Sequence, residues 1–191
     1  MGVTLQAQPA LELQKEEDGI KVYTVDNPNS DFKGFKGTIT INSDYESFHK
    51  LVTNCEAHKE IFPNSMGLEL LEEAKGKYLI YYSAFDAPWP LDDREGVYKM
   101  TFDFNPSKRV YYVRSVDGYK ESRNDRVRLT DSETKWIVIE SVDGRLSIEH
   151  IVFASPGGDI PSWLANSVII DQPINTLKAI RDKIDLRFSR N

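Results

Sequence analysis

The amino-acid sequence predicts an α+β fold in which a curved antiparallel sheet wraps around one long C-terminal helix. Three observations predict it. Over residues 66–153 apolar and polar positions alternate in short runs separated by turn signals, the pattern of half-buried strands. Ahead of that meander, residues 43–62 carry a helix start followed by apolar residues at helical spacing. Near the end, Ile170, Ile174, Leu177, Ile180 and Ile184 recur at spacings of three and four, a stripe that one helix face would bury. A twisted sheet of that many strands must curl, and a long amphipathic helix can close its concave face.

Taken in order, residues 11–18 are polar with scattered leucines and are expected as a short first helix. Residues 19–25 alternate and read as a strand. Asp26, Asn27, Pro28, Asn29 and Ser30 form a turn cluster, and 32–41 supply a second strand. Ser43-Asp44-Tyr45-Glu46 has the form of a capping box, in which the Ser43 hydroxyl takes an orphan amide and Glu46 reaches back. Phe48, Leu51, Val52, Cys55 and Phe62 follow as one helix face, and Pro63 stops the run. Seven strands are then expected at 67–74, 77–85, 94–104, 109–116, 126–130, 135–142 and 146–154. The pair Asp143-Gly144 predicts a type I′ hairpin, because it tolerates positive φ. After Ser155-Pro156-Gly157-Gly158 the closing helix begins, with Pro161 in its first turn and Pro173 expected to kink or break it near Asp171.

The 191 residues suit one domain, expected over 19–187 behind an N-terminal segment, 1–18. A net charge of −6 argues against nucleic acid, whose phosphates need clustered Lys and Arg. The single cysteine, Cys55, cannot form an internal disulfide. No run approaches the roughly 18 apolar residues of a membrane span. Leu5-Gln6-Ala7-Gln8 resembles the tail of a secretory cleavage site, although no charged or apolar stretch precedes it. An exported, periplasmic protein is expected, with a cytoplasmic one as the alternative.

Residues 152–166 read Val-Phe-Ala-Ser-Pro-Gly-Gly-Asp-Ile-Pro-Ser-Trp-Leu-Ala-Asn. This resembles the C-terminal signature of START lipid-transfer domains, compact bacterial-type members of the helix-grip, Bet v 1-like superfamily. There a strand ends in Pro-Gly-Gly and Ile-Pro-x-Trp-Leu opens the closing helix. Pro173 followed by Thr176-Leu177-Lys178-Ala179-Ile180-Arg181 is similar to the rest of that helix, and Trp136 fits the start of its strand. Pro88-Trp89-Pro90-Leu91-Asp92-Asp93-Arg94-Glu95-Gly96-Val97-Tyr98 resembles the family's loop-then-strand. Ser155 departs from it, standing where an acidic residue usually precedes Pro-Gly-Gly. The resemblance spans roughly residues 19–184 and implies a deep cavity holding a sterol, phospholipid or other apolar ligand.

Arg94, Tyr98 and Met100 share the apolar face of one expected strand, so Arg94 heads an inward row. The resemblance places this arginine in the cavity, where a guanidinium can grip a phosphate or carboxylate through paired bonds. The alternative is an internal pair with Asp92 or Glu140. His150 lies on the otherwise apolar face of Leu146, Ile148 and Val152, and Glu140 shares a face with Trp136 and Val138. Arg94, Glu140 and His150 could thus form one polar cluster, either on the ligand or satisfied internally. Tyr82 joins the expected ligand-binding residues, as do Trp163 and Ile170 on the closing helix. Trp89, on a proline-stiffened loop over 84–93, would plug the rim or touch a bilayer. Cys55 and His58 lie one helical turn apart but lack the further ligands of a zinc site and the orienting group of a nucleophile.

The expected function is binding and transport of a lipid or other hydrophobic small molecule, without catalysis, cofactor or metal. The partners are an apolar sterol-like or lipid ligand and a transiently touched membrane, with a monomeric protein and no nucleic acid. A cyclase- or hydrolase-like cavity enzyme and a ligand-sensing regulatory module are the alternatives.

Overall fold

In the computed structural model, which describes residues 11–27, 30–87, 91–122, 125–158, 160 and 170–185, the first feature is a tight hairpin. Its turn residues Asp18 and Gly19 have φ of 52° and 78°. Positive φ at both positions is the type I′ geometry, whose twist matches that of paired strands. The turn joins β1 (Leu11–Glu17) to β2 (Ile20–Val25), with Glu17 opposite Ile20. The helix expected over 11–18 is therefore a strand. Its leucines fall at alternate positions, which suits a pleat and not a helix face.

β3 (Gly34–Ile41) pairs with β2 and leads into α1 (Tyr45–Thr53). The cap of α1 is Asp44: one carboxylate oxygen accepts from the Ser47 amide and the other from its hydroxyl, each at 2.9 Å. A carboxylate at this end also meets the positive end of the helix dipole. The Ser43 capping box does not form, and the Ser43 hydroxyl is buried without a partner. Nor does one helix run on to Phe62. Asn54 turns its side-chain oxygen onto the amides of Glu56 and Ala57 at 2.9 and 3.4 Å. Taking amides that a continuing helix would bond internally, it ends α1 and leaves a separate turn, α2 (His58–Ile61).

The remaining strands are β4 (Ser65–Ala74), β5 (Tyr78–Phe85), β6 (Arg94–Asn105), β7 (Lys108–Ser115), β8 (Val127–Arg128), β9 (Ser132–Glu140) and β10 (Leu146–Ala154). They form an open curved sheet in the order β1-β2-β3-β10-β9-β7-β6-β5-β4, antiparallel throughout this path. The strand expected at 126–130 is not a member of the meander. β7 pairs directly with β9, and the short β8 lies parallel to the start of β6. The Asp143-Gly144 turn also differs from expectation. Among its residues only Gly144 has positive φ, 75°, and Ser141 N donates to Arg145 O at 2.8 Å. This is a three-residue loop with glycine in the left-handed position, not a type I′ pair.

The last described element, α3 (Asp171–Ile184), packs on β2 and β3 and touches α1 and α2. Ile174, Leu177 and Ile180 enter a core with Ile20, Val22, Ile39, Phe48 and Ile148. Gly37 makes this seat: a Cβ there would come within 2.8 Å of a Leu177 methyl and 3.3 Å of Pro173 Cβ. Pro173 lies in the first turn, where its missing N–H leaves no intrahelical bond unmade. The helix onset expected at Pro161 lies outside the described residues. Lys178 ties α3 to the first hairpin through Glu17 and Asp18, at 3.1 and 3.0 Å. Among the described residues no helix is long and apolar enough to cross a membrane.

Candidate functional site

β5 sets Tyr81 opposite Tyr98 of β6, and β10 sets His150 opposite Trp136 of β9. All four side chains are buried and border one cavity of about 350 Å³ between the sheet, α2 and α3. Phe35, Phe62, Phe85, Met100, Val113 and Val152 make its wall largely apolar, and α3 contributes Gln172 and Thr176. A volume of this order lies within the range of small-molecule sites.

Arg94 lies on the cavity wall where β6 begins, 8% exposed. Its Nε donates to Pro156 O at 3.2 Å, and Nη1 donates to Asp92 O. Both acceptors are main-chain carbonyls. Among the described residues no carboxylate forms an ion pair with it, so neither Asp92 nor Glu140 fills the partner role weighed for them. Burial draws its pKa below the ordinary value, against the nearby charges of Asp92 and Asp93, yet a guanidinium stays protonated in such a place. The site thus holds a cation whose fork is only partly used.

The next residue faces the other way. Glu95 is fully buried on the convex face, where Arg128 Nη2 meets it at 2.8 Å and Nε at 3.1 Å. Tyr82 OH donates to its other oxygen at 2.7 Å, and Arg126 Nη1 donates to that hydroxyl at 2.9 Å. This network holds β8 against β6. Val127 of β8 lies under Gly157, where a Cβ would come within 2.7 Å of Val127 Cγ1, and Gly157 has the φ of 64° that favours glycine. The Ser155 amide donates to Asp131 O at 2.9 Å. The charged cluster outside the sheet therefore fixes the turn that carries Pro156, the acceptor of Arg94.

Two histidines lie deeper in the wall. His150 is 3% exposed and stacks on Trp136 with centroids 3.7 Å apart and planes at 7°. Its Nδ1 is buried without a hydrogen-bond partner, and desolvation lowers its pKa from 6.5 to about 3. His58 bonds Ser65 Oγ through Nδ1 at 2.8 Å, lies 4.6 Å from the Phe62 ring, and is lowered to about 4 by burial. Both rings are neutral at neutral pH. Burial also raises the Tyr81 and Tyr98 hydroxyl pKa values. The Tyr98 ring folds over Gly96, whose missing Cβ would lie 2.4 Å from its tip.

Of the sequence-derived residues, Arg94, Tyr98, Met100 and His150 come together on the cavity wall. Tyr82 does not. It lies on the opposite face, packed with Ile80, Ala84 and Val97 and bonded to Glu95. β5 is buried on both faces, so its sequence shows no alternation to orient it, and Tyr81 is the inward neighbour. Glu140 is exposed at the far end of β9, past Trp136 and Val138, and its amide takes the Tyr45 hydroxyl as acceptor at 2.8 Å. The cluster of Arg94, Glu140 and His150 is therefore not formed. Ile170 packs against the core and not on the cavity wall. Trp89 and Trp163 lie outside the described residues. Cys55 is half-buried with its thiol pKa raised by desolvation, the opposite of an activated nucleophile. Among the described residues no cluster suited to a metal ion occurs. His58, Phe62, Tyr81 and Phe85 also line the wall; the signal in the sequence was the place of Phe62 on the apolar stripe that Pro63 ends.

No protein-family model matches the sequence. The chain is 29% identical over 177 residues to an uncharacterised protein of Pseudomonas aeruginosa, covering 92% of this chain and 87% of that one. It is similar to the solved structure of a STAR-related lipid transfer protein from Xanthomonas axonopodis, with 30% identity, a TM-score of 0.82 and coverage of 90% and 97%. Human StAR-related lipid transfer protein 5 shares the fold at a TM-score of 0.83 and 10% identity, over 94% of this chain and 88% of that one. At a TM-score of 0.52 and 16% identity, the Zhui aromatase/cyclase of a Streptomyces covers 78% of this chain and shares the fold alone. With its curved sheet, its closing helix and nearly full-length similarity to the Xanthomonas protein, the chain belongs to the STAR-related lipid transfer, or START, family.

Proposed function

We propose that the protein binds one molecule of a lipid or other hydrophobic ligand in the cavity and carries it without chemical change. The carrier unit is residues 19–187 together with the edge strand β1. The observation that carries the reading is Arg94: a buried guanidinium on an apolar cavity wall, bonded among the described residues only to main-chain carbonyls. An amphiphile would place its hydrocarbon against Phe35, Phe62, Met100 and Val152 and its anionic group on the free part of that fork. Each Å² of apolar surface removed from water contributes about 25 cal/mol, and a hydrogen bond to a charged group about 1.5–3 kcal/mol.

Uptake requires the wall to part, and the segment between β5 and Arg94 that carries Trp89 in the sequence is where a bilayer would be touched, by a monomer. The rival reading as an acid–base enzyme built on Arg94, Glu140 and His150 has little support, since Glu140 stands apart and His150 is a neutral ring stacked on Trp136 whose Nδ1 has no hydrogen-bond partner. The test is competition between octadecanoate and octadecanol for the delipidated protein, before and after Arg94→Gln. The acid binds about tenfold more tightly than the alcohol to the wild type, and the substitution removes most of that preference. Failure of both to bind, or an unchanged preference in Arg94→Gln, contradicts the proposal.

A further inference from the structure

Four neutral polar side chains line the cavity wall without a hydrogen-bond partner among the described residues. Among the described residues, His150 Nδ1 is a buried atom without a hydrogen-bond partner, and the Tyr81 and Tyr98 hydroxyls and the Trp136 indole N–H, on buried residues of the same cavity wall, make no hydrogen bond to protein. Buried polar groups in folded proteins nearly always find a partner, in protein or in bound water or ligand. The four form two cross-strand pairs, Tyr81 with Tyr98 and Trp136 with His150. Phe62 and His58 span between them: Phe62 lies 6.5 Å from both Trp136 and His150, and His58 lies 6.3 Å from Tyr81.

We propose that the cavity selects ligands whose apolar body carries hydroxyl or carbonyl groups, which hydrogen-bond to Tyr81, Tyr98, Trp136 and His150. The inference rests on the ligand-binding reading above and deepens it. Tyrosine hydroxyls both donate and accept, the indole only donates, and a neutral imidazole offers one of each. His150 Nδ1 is the buried, unpartnered atom, and a ring proton on Nε2 is the tautomer that leaves no buried donor unmet. No charge stands among these four groups, so they suit neutral oxygens, and the anionic end of an amphiphile belongs at Arg94. A saturated chain would displace any water from these groups and replace none of its bonds.

The test uses the delipidated full chain and two probes with the same carboxylate, octadecanoate and 9,10-dihydroxyoctadecanoate, titrated by displacement of a fluorescent fatty acid. The wild type binds the dihydroxy acid at least as tightly as octadecanoate. Tyr98→Phe and His150→Phe, the second keeping a ring against Trp136, each shift the affinity ratio about tenfold toward octadecanoate. A wild type that binds octadecanoate but holds the dihydroxy acid more weakly overturns this inference and leaves lipid binding intact. So does a wild-type preference that survives unchanged in both variants. Failure to bind either probe removes the ligand-binding reading and this inference with it.

Discussion

Glu95 and Arg128 form a buried ion pair at 2.8 Å on the convex face of the sheet, back to back with Arg94 on the concave face. One strand therefore carries a satisfied charge outward and a partly free charge inward. The outward pair clamps β8, and β8 supports the turn whose carbonyl Arg94 uses.

Glu95→Gln is expected to lower stability by about 3 kcal/mol, because a buried guanidinium loses its counter-charge. Urea unfolding measures it. Replacing the pair together, as Glu95→Leu with Arg128→Met, recovers most of the loss, since two apolar groups leave no uncompensated charge. An additive double variant would contradict the clamp.

Stability is expected to fall as the pH drops below about 6.5. His58 and His150 have folded pKa values depressed to about 4 and about 3. Between their unfolded value of about 6.5 and those values, the unfolded chain binds protons that the folded one refuses. The contribution is thus complete above about 6.5 and is lost on the acid side, at up to about 1.4 kcal/mol per pH unit for each ring. Urea midpoints between pH 7 and 5 should decline, and in His150→Phe the decline should be shallower, with His58 and His49, whose pKa burial also lowers, still contributing. An equal slope in that variant would contradict the neutral His150.

Asp44→Ala is expected to cost about 1 kcal/mol by removing the cap of α1. Ser43→Ala should be neutral or stabilising, because the hydroxyl it deletes is buried and unpartnered. Thermal unfolding of the two variants distinguishes Asp44 as the cap from the capping box that the sequence suggests.

Gly34→Ala is expected to destabilise by about 1–3 kcal/mol, since its Cβ would lie 2.6 Å from Val152 O and 2.5 Å from the Phe153 ring. Gly37→Ala should cost less, because it meets the end of the flexible Leu177 side chain. Equal losses in urea unfolding would contradict this ranking of a backbone clash against β10 and a side-chain clash against α3.

Legibility from sequence followed the period of each segment. β6, β9 and β10 alternate, so Tyr98, Met100, Trp136 and His150 could be placed on one face in advance. β5 could not be oriented because the Glu95 network and Val97 bury its outer face as thoroughly as the cavity wall covers its inner one, which exchanged Tyr82 for Tyr81. Glu140 keeps the parity of Trp136 but lies beyond the end of the cavity, and parity carries no information about depth. β1 was missed although Asp18-Gly19 is the type I′ signal, while the same dipeptide at Asp143-Gly144 sits in a longer loop. The split between α1 and α2 depends on one side chain, Asn54, competing for backbone amides.

The central claim is that the cavity holds an apolar molecule, and native mass spectrometry of the purified protein, with organic extraction of anything bound, tests it most directly. The account predicts a one-to-one non-covalent complex with an extractable lipid or similar amphiphile, or its formation on adding a lipid mixture to stripped protein. A protein that is empty as purified and takes up nothing from that mixture would contradict it.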